Sequence, residues 1–560
     1  MTRKVPLTSA AANQKAGAIA STLAMGRAHH AQGFLGLADG CYRQVLTMES
    51  NNVEALHLLG VVALQLNKPE EAIRLIKRSA RKMPTDPAMF VNLGAAYRKA
   101  KQLKQAQEAY ETAIKLKPEL AEAHFNLGKV LFDLRDADAA ISVSKKCIAL
   151  SPTMAEAHIN LGNAYKLKNE PAAALAAYEE AKRLAPNMAE AYGNIAAVVF
   201  DIGKHAEALD IMDQAVALQP SPGEQRYKRS LMALRFGQLA KGWADYESRY
   251  FAAEETVPRF AAPPPYWNGE DLAEKTLLIW TEQGLGDEIL YASMLEDLRK
   301  RAPRCIIECS PRMVPVFERS FPWAKVVRYQ SQGNRTTPAA DFDTQTSIAS
   351  LGQYFRPDFE SFPRHQGHMK AGPERTAALR ARYQALASGN LIVGLSWRSK
   401  ATGLGAAKSA DIATWGDILG VKNITFVNLQ YGDCAAELAA VKEKLGVEVF
   451  QDADVNPMKS MDDFFAQVAA MDLVITTSNT TVHVAGGLNV PTWLLLNSGI
   501  GGIWYWFSDR TDSPWYPAVR IFRRPNDGDT SFLNWWRGII GEVGAALAAK
   551  VRERLAGPPG

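Results

Sequence analysis

Two hydrophobic rhythms divide the chain. As far as about residue 222, apolar positions recur at helical spacing and small residues return on a fixed period: glycine at 26, 60, 94, 128 and 162, and alanine at 38, 72, 106, 140, 174 and 208. Proline follows the same rhythm at 84, 118, 152, 186 and 220, and every step is 34 residues. Small residues let two antiparallel helices touch, and proline closes the second, so each unit is predicted to be a helical hairpin in a solenoid. The ends are irregular: Ser50 stands where the first unit should have proline, Ala196 replaces glycine in the sixth, and a degenerate seventh unit runs from Gly223 to about Tyr250. Terminal units of a solenoid deviate in this way. The rhythm breaks between Phe251 and Glu274, where Pro-Arg-Phe-Ala-Ala-Pro-Pro-Pro-Tyr-Trp-Asn-Gly reads as a semi-rigid linker. Beyond it, short apolar runs alternate with helical segments. Strands are expected at Thr276 to Glu282, Ile306 to Cys309, Lys325 to Tyr329, more weakly Phe342 to Thr346, then Leu391 to Arg398, Ile424 to Gln430, Val447 to Phe450 and Asp472 to Ile475. A helix is expected over Asp287 to Arg301, and the alternation predicts parallel sheets with crossover helices.

The 34-residue period resembles the tetratricopeptide repeat over residues 19 to 222. The resemblance implies a concave face lined by the first helix of each unit and a protein or peptide partner held in that groove. Asn92, Asn126, Asn160 and Asn194 recur at one position of that helix. A ladder of amides, each donor and acceptor at once, can clamp an extended peptide whatever its sequence; equally, asparagine is a common resident of this position in such repeats. His124 and His158 fall where a bulky packing residue is expected.

Candidate chemistry lies in the α/β part. Asp472-Leu-Val-Ile-Thr-Thr-Ser-Asn-Thr-Thr-Val-His483 is a strand, a tight turn and a helix start. Such a turn lies at the carboxyl edge of a parallel sheet, and the fresh helix offers unpaired N–H groups to an anion. Ser478, Asn479, Thr480 and Thr481 can cap that helix or bind phosphate, and His483 in its first turn either donates to the same anion or is a satisfied histidine. Asp287 follows the turn Gly284-Leu-Gly, where it can serve as a general base or as a capping carboxylate. Arg398, Lys400 and Lys408 flank a glycine-bearing loop (Gly403, Gly405) after a strand, a place for cations that meet a diphosphate. Asp452-Ala-Asp454 matches a metal-binding DxD pattern but is read as a solvated loop, and no metal site is expected.

Composition narrows the classes. With 47% apolar residues over 560 positions the chain can build three or four domains. A net charge of +5 over 64 basic and 59 acidic residues is too balanced to imply nucleic acid. No apolar run nears the ~20 residues of a membrane span, and the Ala-rich start lacks a signal core, so a cytoplasmic protein is expected. Cys41, Cys147, Cys305, Cys309 and Cys434 show no paired spacing, and Cys305 and Cys309 are placed in or beside a strand.

Taken in order, Glu282-Gln-Gly-Leu-Gly-Asp287, Gly394-Leu-Ser-Trp397, Asn428-Leu-Gln-Tyr-Gly432, Asp472-Leu-Val-Ile475, His483-Val-Ala-Gly486 and Ser513-Pro-Trp-Tyr-Pro517 resemble the catalytic region of glycosyltransferase family 9, the ADP-heptose lipopolysaccharide heptosyltransferase-like enzymes. The resemblance covers about 276 to 525. Repeats ahead of such a domain are similar in architecture to O-GlcNAc transferase and to bacterial flagellin-modifying transferases. The fold implied is an α-solenoid followed by an α/β GT-B fold of two Rossmann-like domains. Its boundaries are a tail at 1–18, the solenoid at 19–250, the linker at 251–275, an acceptor-side domain at 276–385, and a nucleotide-sugar domain at 386–560 ending in a C-terminal helix. The function implied is transfer of a sugar from a nucleotide-sugar co-substrate to a protein Ser or Thr, flagellin by analogy, with inversion and with neither cofactor nor metal. Asp287 is then the base, Arg398 or a nearby lysine a phosphate ligand, Gln430 a further donor-side residue, and the turn to His483 the diphosphate cradle. Where the family carries Asp in that turn this chain has Ser478-Asn479, which opens the donor to a sugar on a monophosphate, such as a CMP-activated nonulosonic acid. Two alternatives are a saccharide or lipid-linked acceptor with the repeats serving as a dock, and a non-catalytic repeat adaptor.

Overall fold

The computed structural model describes residues 9–221, 223–252, 264–330, 337–363, 366–399, 408–496, 503–523 and 532–556. The chain forms two compact units, Met1–Val198 and Val199–Gly560.

The first unit is the helical array expected from the period. Its hairpins include Pro87–Lys99 with Leu103–Leu116 and Ala155–Leu167 with Pro171–Leu184. The repeated glycine is a contact point: a Cβ on Gly94 would lie 2.7 Å from the ring of Tyr110, so only glycine lets the two helices close. Between the helices of each pair the chain turns through a left-handed residue, Asn67, Lys101, Arg135 and Asn169, again 34 apart. A second regularity runs along the first helices of successive units. Side chains pair across 35 residues, as in His30 Nε2 with Gln65 Oε1 at 2.8 Å and Arg98 Nε with Asp133 Oδ2 at 2.9 Å. His124 is buried and its Nε2 lies 2.9 Å from Pro118 O, a structural role.

The second unit holds two parallel sheets. In the first, β1 (Thr276–Trp280), β2 (Arg304–Cys309), β3 (Lys325–Arg328) and β4 (Thr344–Ser347) lie in the order β3-β2-β1-β4. In the second, β5 (Leu391–Ser396), β6 (Ile424–Asn428), β7 (Val449–Phe450), β8 (Leu473–Thr477), β9 (Thr492–Leu496) and β10 (Val519–Arg523) lie in the order β10-β9-β8-β5-β6-β7. This is the Rossmann-like order, with its reversal between β5 and β8; the first sheet repeats it in four strands, with the reversal between β1 and β4. The pattern missed β9 and β10, and the single helix expected over 287–301 is two, Leu285–Ala292 and Leu295–Arg299. Cys305 and Cys309 lie in β2. The helix Phe532–Ala556 covers the second sheet through Trp536, Ile539, Ile540, Val543 and Leu547. Among the described residues no helix is long and apolar enough to cross a membrane.

The boundary between the units falls within the repeats, not at the Pro-rich stretch. Helices His205–Leu218, Glu224–Arg235, Leu239–Tyr246 and Arg249–Ala252 belong with the sheets. Leu234, Leu239, Trp243 and Tyr246 share one core with Ile289, Tyr291 and Trp504. Of the expected linker, 253–263 lie outside the described residues, and Trp267 is tied to β4 by its N–H on Gln345 O at 2.7 Å.

Arg249 is the deepest link. Its guanidinium is fully buried and donates to Glu282 Oε1 at 2.9 Å, Ser350 Oγ at 2.8 Å and Ser347 Oγ at 3.2 Å, so it fills the crevice between the ends of β1 and β4. Removing one member of such a pair leaves the other charge buried alone, which costs about 3–5 kcal/mol. Arg249→Met is expected to lower the stability of this unit by that order in urea unfolding, and Glu282→Gln in the same chain should restore much of it. Equal loss in the single and double variants would show that the charges are not coupled.

Candidate functional site

The reversal point of the second sheet brings together residues far apart in sequence. Asn479 caps helix Thr480–Gly487, its Oδ1 accepting from Thr481 N at 2.9 Å, while its Nδ2 donates to Ser396 Oγ at 2.9 Å and Arg398 O at 3.3 Å. Thr481 Oγ1 reaches the same Ser396 Oγ at 3.2 Å. Gln430 Oε1 accepts from the backbone N–H of Trp397 and of Arg398, both at 2.9 Å. Gln430 and Asn479 are thus the struts that hold the loops after β5, β6 and β8 against one another. Ser478 Oγ accepts from Trp506 Nε1 at 3.0 Å. Thr480 is half-buried at the first helical position, and at the end of β8 Thr477 Oγ1 is buried with no hydrogen-bond partner among the described residues.

The cations differ from one another. Arg398 Nε donates to Glu437 Oε1 and Oε2 at 2.9 and 3.0 Å, so its charge is already met. Lys408 is half-buried; burial lowers its amine pKa, and Asp287 pulls the other way. Lys400, with Gly403 and Gly405, lies outside the described residues. Of the DxD pair, only Asp454 is solvated; Asp452 is buried. Asp452 is 1% exposed and accepts from Arg382 at 2.9 and 3.0 Å and from the Tyr383 hydroxyl at 2.7 Å, while Asp454 pairs with Arg382 at 2.8 Å. Arg382 thus meets both carboxylates at short range.

Helices Leu285–Ala292 and Thr480–Gly487, which carry Asp287 and His483, pack together. A Cβ on Gly286 would stand 2.7 Å from His483 Cδ2, so glycine there allows the approach. His483 is buried with Nδ1 2.9 Å from the Tyr516 hydroxyl, Nε2 3.3 Å from the Tyr505 hydroxyl, and its ring stacked on Trp506. Burial, assisted by Lys408, drives its pKa down to about 3, so it is a neutral, satisfied histidine. Asp287 is half-buried, and its Oδ2 accepts from Gly284 N at 3.1 Å as the third residue of its helix. Burial raises its pKa to about 6; the Gly284 N–H and Lys408 oppose that, and Glu282 reinforces it. The sequence did not single out its neighbour Glu288. This carboxyl is 2% exposed, with Ser310 N at 3.4 Å and the Tyr329 hydroxyl at 3.5 Å, and burial raises its pKa to about 7. Its only signal was adjacency to Asp287.

In the first unit the four asparagines lie along the first helices, all half-buried. Asn92 Nδ2 is 2.8 Å from His57 Nε2, and Asn160 Nδ2 donates to Phe125 O at 3.2 Å. Asn160 also lines a groove pocket of about 170 Å³ with Arg98, Lys129, Asp133, Asn163 and Glu190.

Comparison with known proteins gives the repeats a name. Family profiles described as tetratricopeptide repeat match residues 23–87, 121–154 and 155–188, and one described as TPR repeat matches 94–134. The N-terminal helices are tetratricopeptide repeats, a protein-interaction module. Protein FlbA of Caulobacter vibrioides is 34% identical over 339 residues, which is 58% of this chain and 54% of that protein. Tetratricopeptide repeat protein 8 of Caenorhabditis elegans is 29% identical over 118 residues, 21% of this chain and 23% of that one. The chain therefore spans about half the length of the first relative and less of the second. Among solved structures, MamA protein is 26% identical, covering 31% of this chain and 94% of its own at a TM-score of 0.29. A tetratricopeptide repeat protein from Parabacteroides merdae is 16% identical, covering 43% and 95% at a TM-score of 0.39.

The acid pair sets a pH dependence. A carboxyl whose folded pKa lies above its unfolded value keeps its proton longer in the native state, so stability falls as pH rises through that window. For Glu288 the window runs from its ordinary 4.5 to about 7, with a full effect on the order of 3 kcal/mol. The melting temperature of Glu288→Gln relative to the unaltered chain should climb between pH 4.5 and 8. A difference that stays flat would mean that Glu288 ionises as it does in water.

Proposed function

We propose that this chain is a GT-B glycosyltransferase that moves a sugar from a nucleotide-sugar donor to a Ser or Thr of a protein recruited by its repeats. The observation that carries the reading is the meeting of Asp287, Lys408 and two helix N-termini at the carboxyl edges of two Rossmann-like sheets. Ligands of open α/β sheets bind at such reversals. Support comes also from the length of the FlbA alignment: 339 residues exceed the whole repeat array, so the similarity reaches into the α/β part.

In this reading Asp287 takes the proton of the acceptor hydroxyl while its oxygen attacks the anomeric carbon and the bond to the phosphate oxygen breaks, with inversion. The start of helix Thr480–Gly487 and Lys408 receive the charge that develops on the departing phosphate, the electrostatic contribution that dominates many such steps. Arg398, engaged by Glu437, orders the loop after β5 and leaves the phosphate to Lys408. His483 acts through position: held by Tyr505 and Tyr516, it packs on Gly286 beside the base. No divalent ion is required, since lysine and helix carry the phosphate charge.

Asp287→Asn keeps the shape and removes the base, and should cost about 10²- to 10⁴-fold in transfer rate. The unaltered enzyme should lose activity about tenfold per pH unit below roughly 6, where Asp287 gains its proton. A near-normal rate in Asp287→Asn would leave that residue a cap only.

The repeats carry the companion test. Changing Asn92, Asn126, Asn160 and Asn194 together to Ala removes several bonds of about 0.5–1.5 kcal/mol each to an extended acceptor. Transfer to the full-length protein acceptor, followed by intact mass, should fall severely, with a smaller loss for any single change. Unaltered glycosylation would take the asparagines out of acceptor binding.

A further inference from the structure

One hairpin of the array lacks the side chain with which its neighbours fill themselves. The residue that faces the repeated glycine is Tyr42, Ile76, Tyr110 or Tyr178, and a Cβ on Gly26, Gly60, Gly94 or Gly162 would collide with it. In the hairpin of Ala121–Asp133 and Ala137–Leu150 the same position of the 34-residue period is Ser144. There a Cβ on Gly128 would meet nothing nearer than Ser144 Oγ at 3.2 Å. That hydroxyl is buried with no hydrogen-bond partner among the described residues.

The period also shows where the missing ring would end. In the next hairpin the Tyr178 hydroxyl donates to Asn163 Oδ1 at 2.6 Å, and the residue 34 positions before Asn163 is Lys129. A tyrosine in place of Ser144 would therefore bring its hydroxyl to Lys129. In its absence Gly128 and Lys129 line the groove pocket of about 170 Å³ together with Phe132, Asn160 and Asn163. Ligand pockets for small molecules run to about 300–1,000 Å³, so this one admits a single side chain and no nucleotide sugar. Its charges balance, Arg98 and Lys129 against Asp133 and Glu190, and Arg98 is bonded to Asp133 at 2.9 Å. Balanced charge favours a neutral guest. Phe132 exposes its ring to that guest, and Lys129, whose ammonium stands 4.3 Å from the centre of the Phe125 ring, has N–H donors to offer an oxygen. A neutral ring with an oxygen at its tip is the phenol that this hairpin lacks.

We propose that the groove uses this pocket to anchor one tyrosine side chain of a bound protein segment, with the ring on Phe132 and the hydroxyl at Lys129. The partner supplies from outside what Tyr110 and Tyr178 supply from within. The proposal rests on the reading of the groove as a protein-binding surface and is independent of glycosyl transfer.

The test selects phage-displayed random peptides on the full-length chain. The enriched peptides should share a tyrosine, and a synthetic representative is then titrated by fluorescence anisotropy. Replacing its tyrosine by alanine should weaken binding at least about tenfold, as for an aromatic anchor in a pocket, and by phenylalanine about fivefold, as for one hydrogen bond. Ser144→Tyr fills the pocket with the repeat's own ring; it should weaken the tyrosine peptide by the same tenfold, leave the alanine peptide unchanged, and hold or raise the melting temperature. Lys129→Met, which leaves the hairpin's packing in place, should weaken the tyrosine peptide about fivefold and serves if Ser144→Tyr fails to fold. Enriched peptides without a common tyrosine, or equal affinity in the unaltered chain and in the variants, overturn the anchor while the groove remains a peptide site. Failure of any peptide to enrich overturns both.

Discussion

The second unit is organised by what fills the two crevices where strand order reverses. Strand ends at such a point leave a gap flanked by loop backbones that need partners. Between β1 and β4 the gap is closed by Arg249 on Glu282, Ser347 and Ser350. Between β5 and β8 it is lined by Ser396, Asn479 and Thr481, neutral groups bonded to one another. The first crevice is therefore occupied by the protein's own cation, whereas the second presents short polar side chains and a helix start. The same arrangement explains why the last repeat cannot be separated from the sheets: its arginine is part of their core.

Around the junction of the two helices, burial works on groups of opposite kind and separates their protonation states. It makes His483 neutral at every physiological pH and keeps Asp287 and Glu288 protonated well above the usual carboxylate range. Lys408 acts on both the histidine and Asp287, disfavouring charge on the first and favouring it on the second. Burial thus leaves an acid tuned close to neutrality on one of the two packed helices and a neutral histidine on the other.

The repeats were legible in full because their signal is redundant: a glycine that admits Tyr110, an alanine and a proline recur with one period. Most strands were legible from apolar runs bounded by turns. β9 and β10 were not, since Thr492–Leu496 follows its helix with a single proline as punctuation and Val519–Arg523 carries two arginines. At the site, the turn at Asn479 and the position of Asp287 could be read from the strand-turn-helix pattern. What could not be read was pairing across the fold. Arg398 looked free until Glu437 was placed beside it, and Asp452 looked solvated until Arg382 and Tyr383 covered it. Tyr227 belonged to a degenerate unit whose helical pattern gave no hint that it packs with a sheet domain.

In the asparagine ladder, two of the side chains stitch neighbouring repeats together. An amide has two N–H donors and a carbonyl with two lone pairs. Asn160 uses one donor on Phe125 O, and Asn92 uses one on the imidazole of His57. Each retains a second donor and its carbonyl, the complement of a peptide unit. The bond to the preceding repeat fixes the orientation of the amide before any partner arrives, so less rotamer entropy remains to be lost on binding. Both bonds reach back 35 residues, so the spacing of the repeats sets how each amide is held.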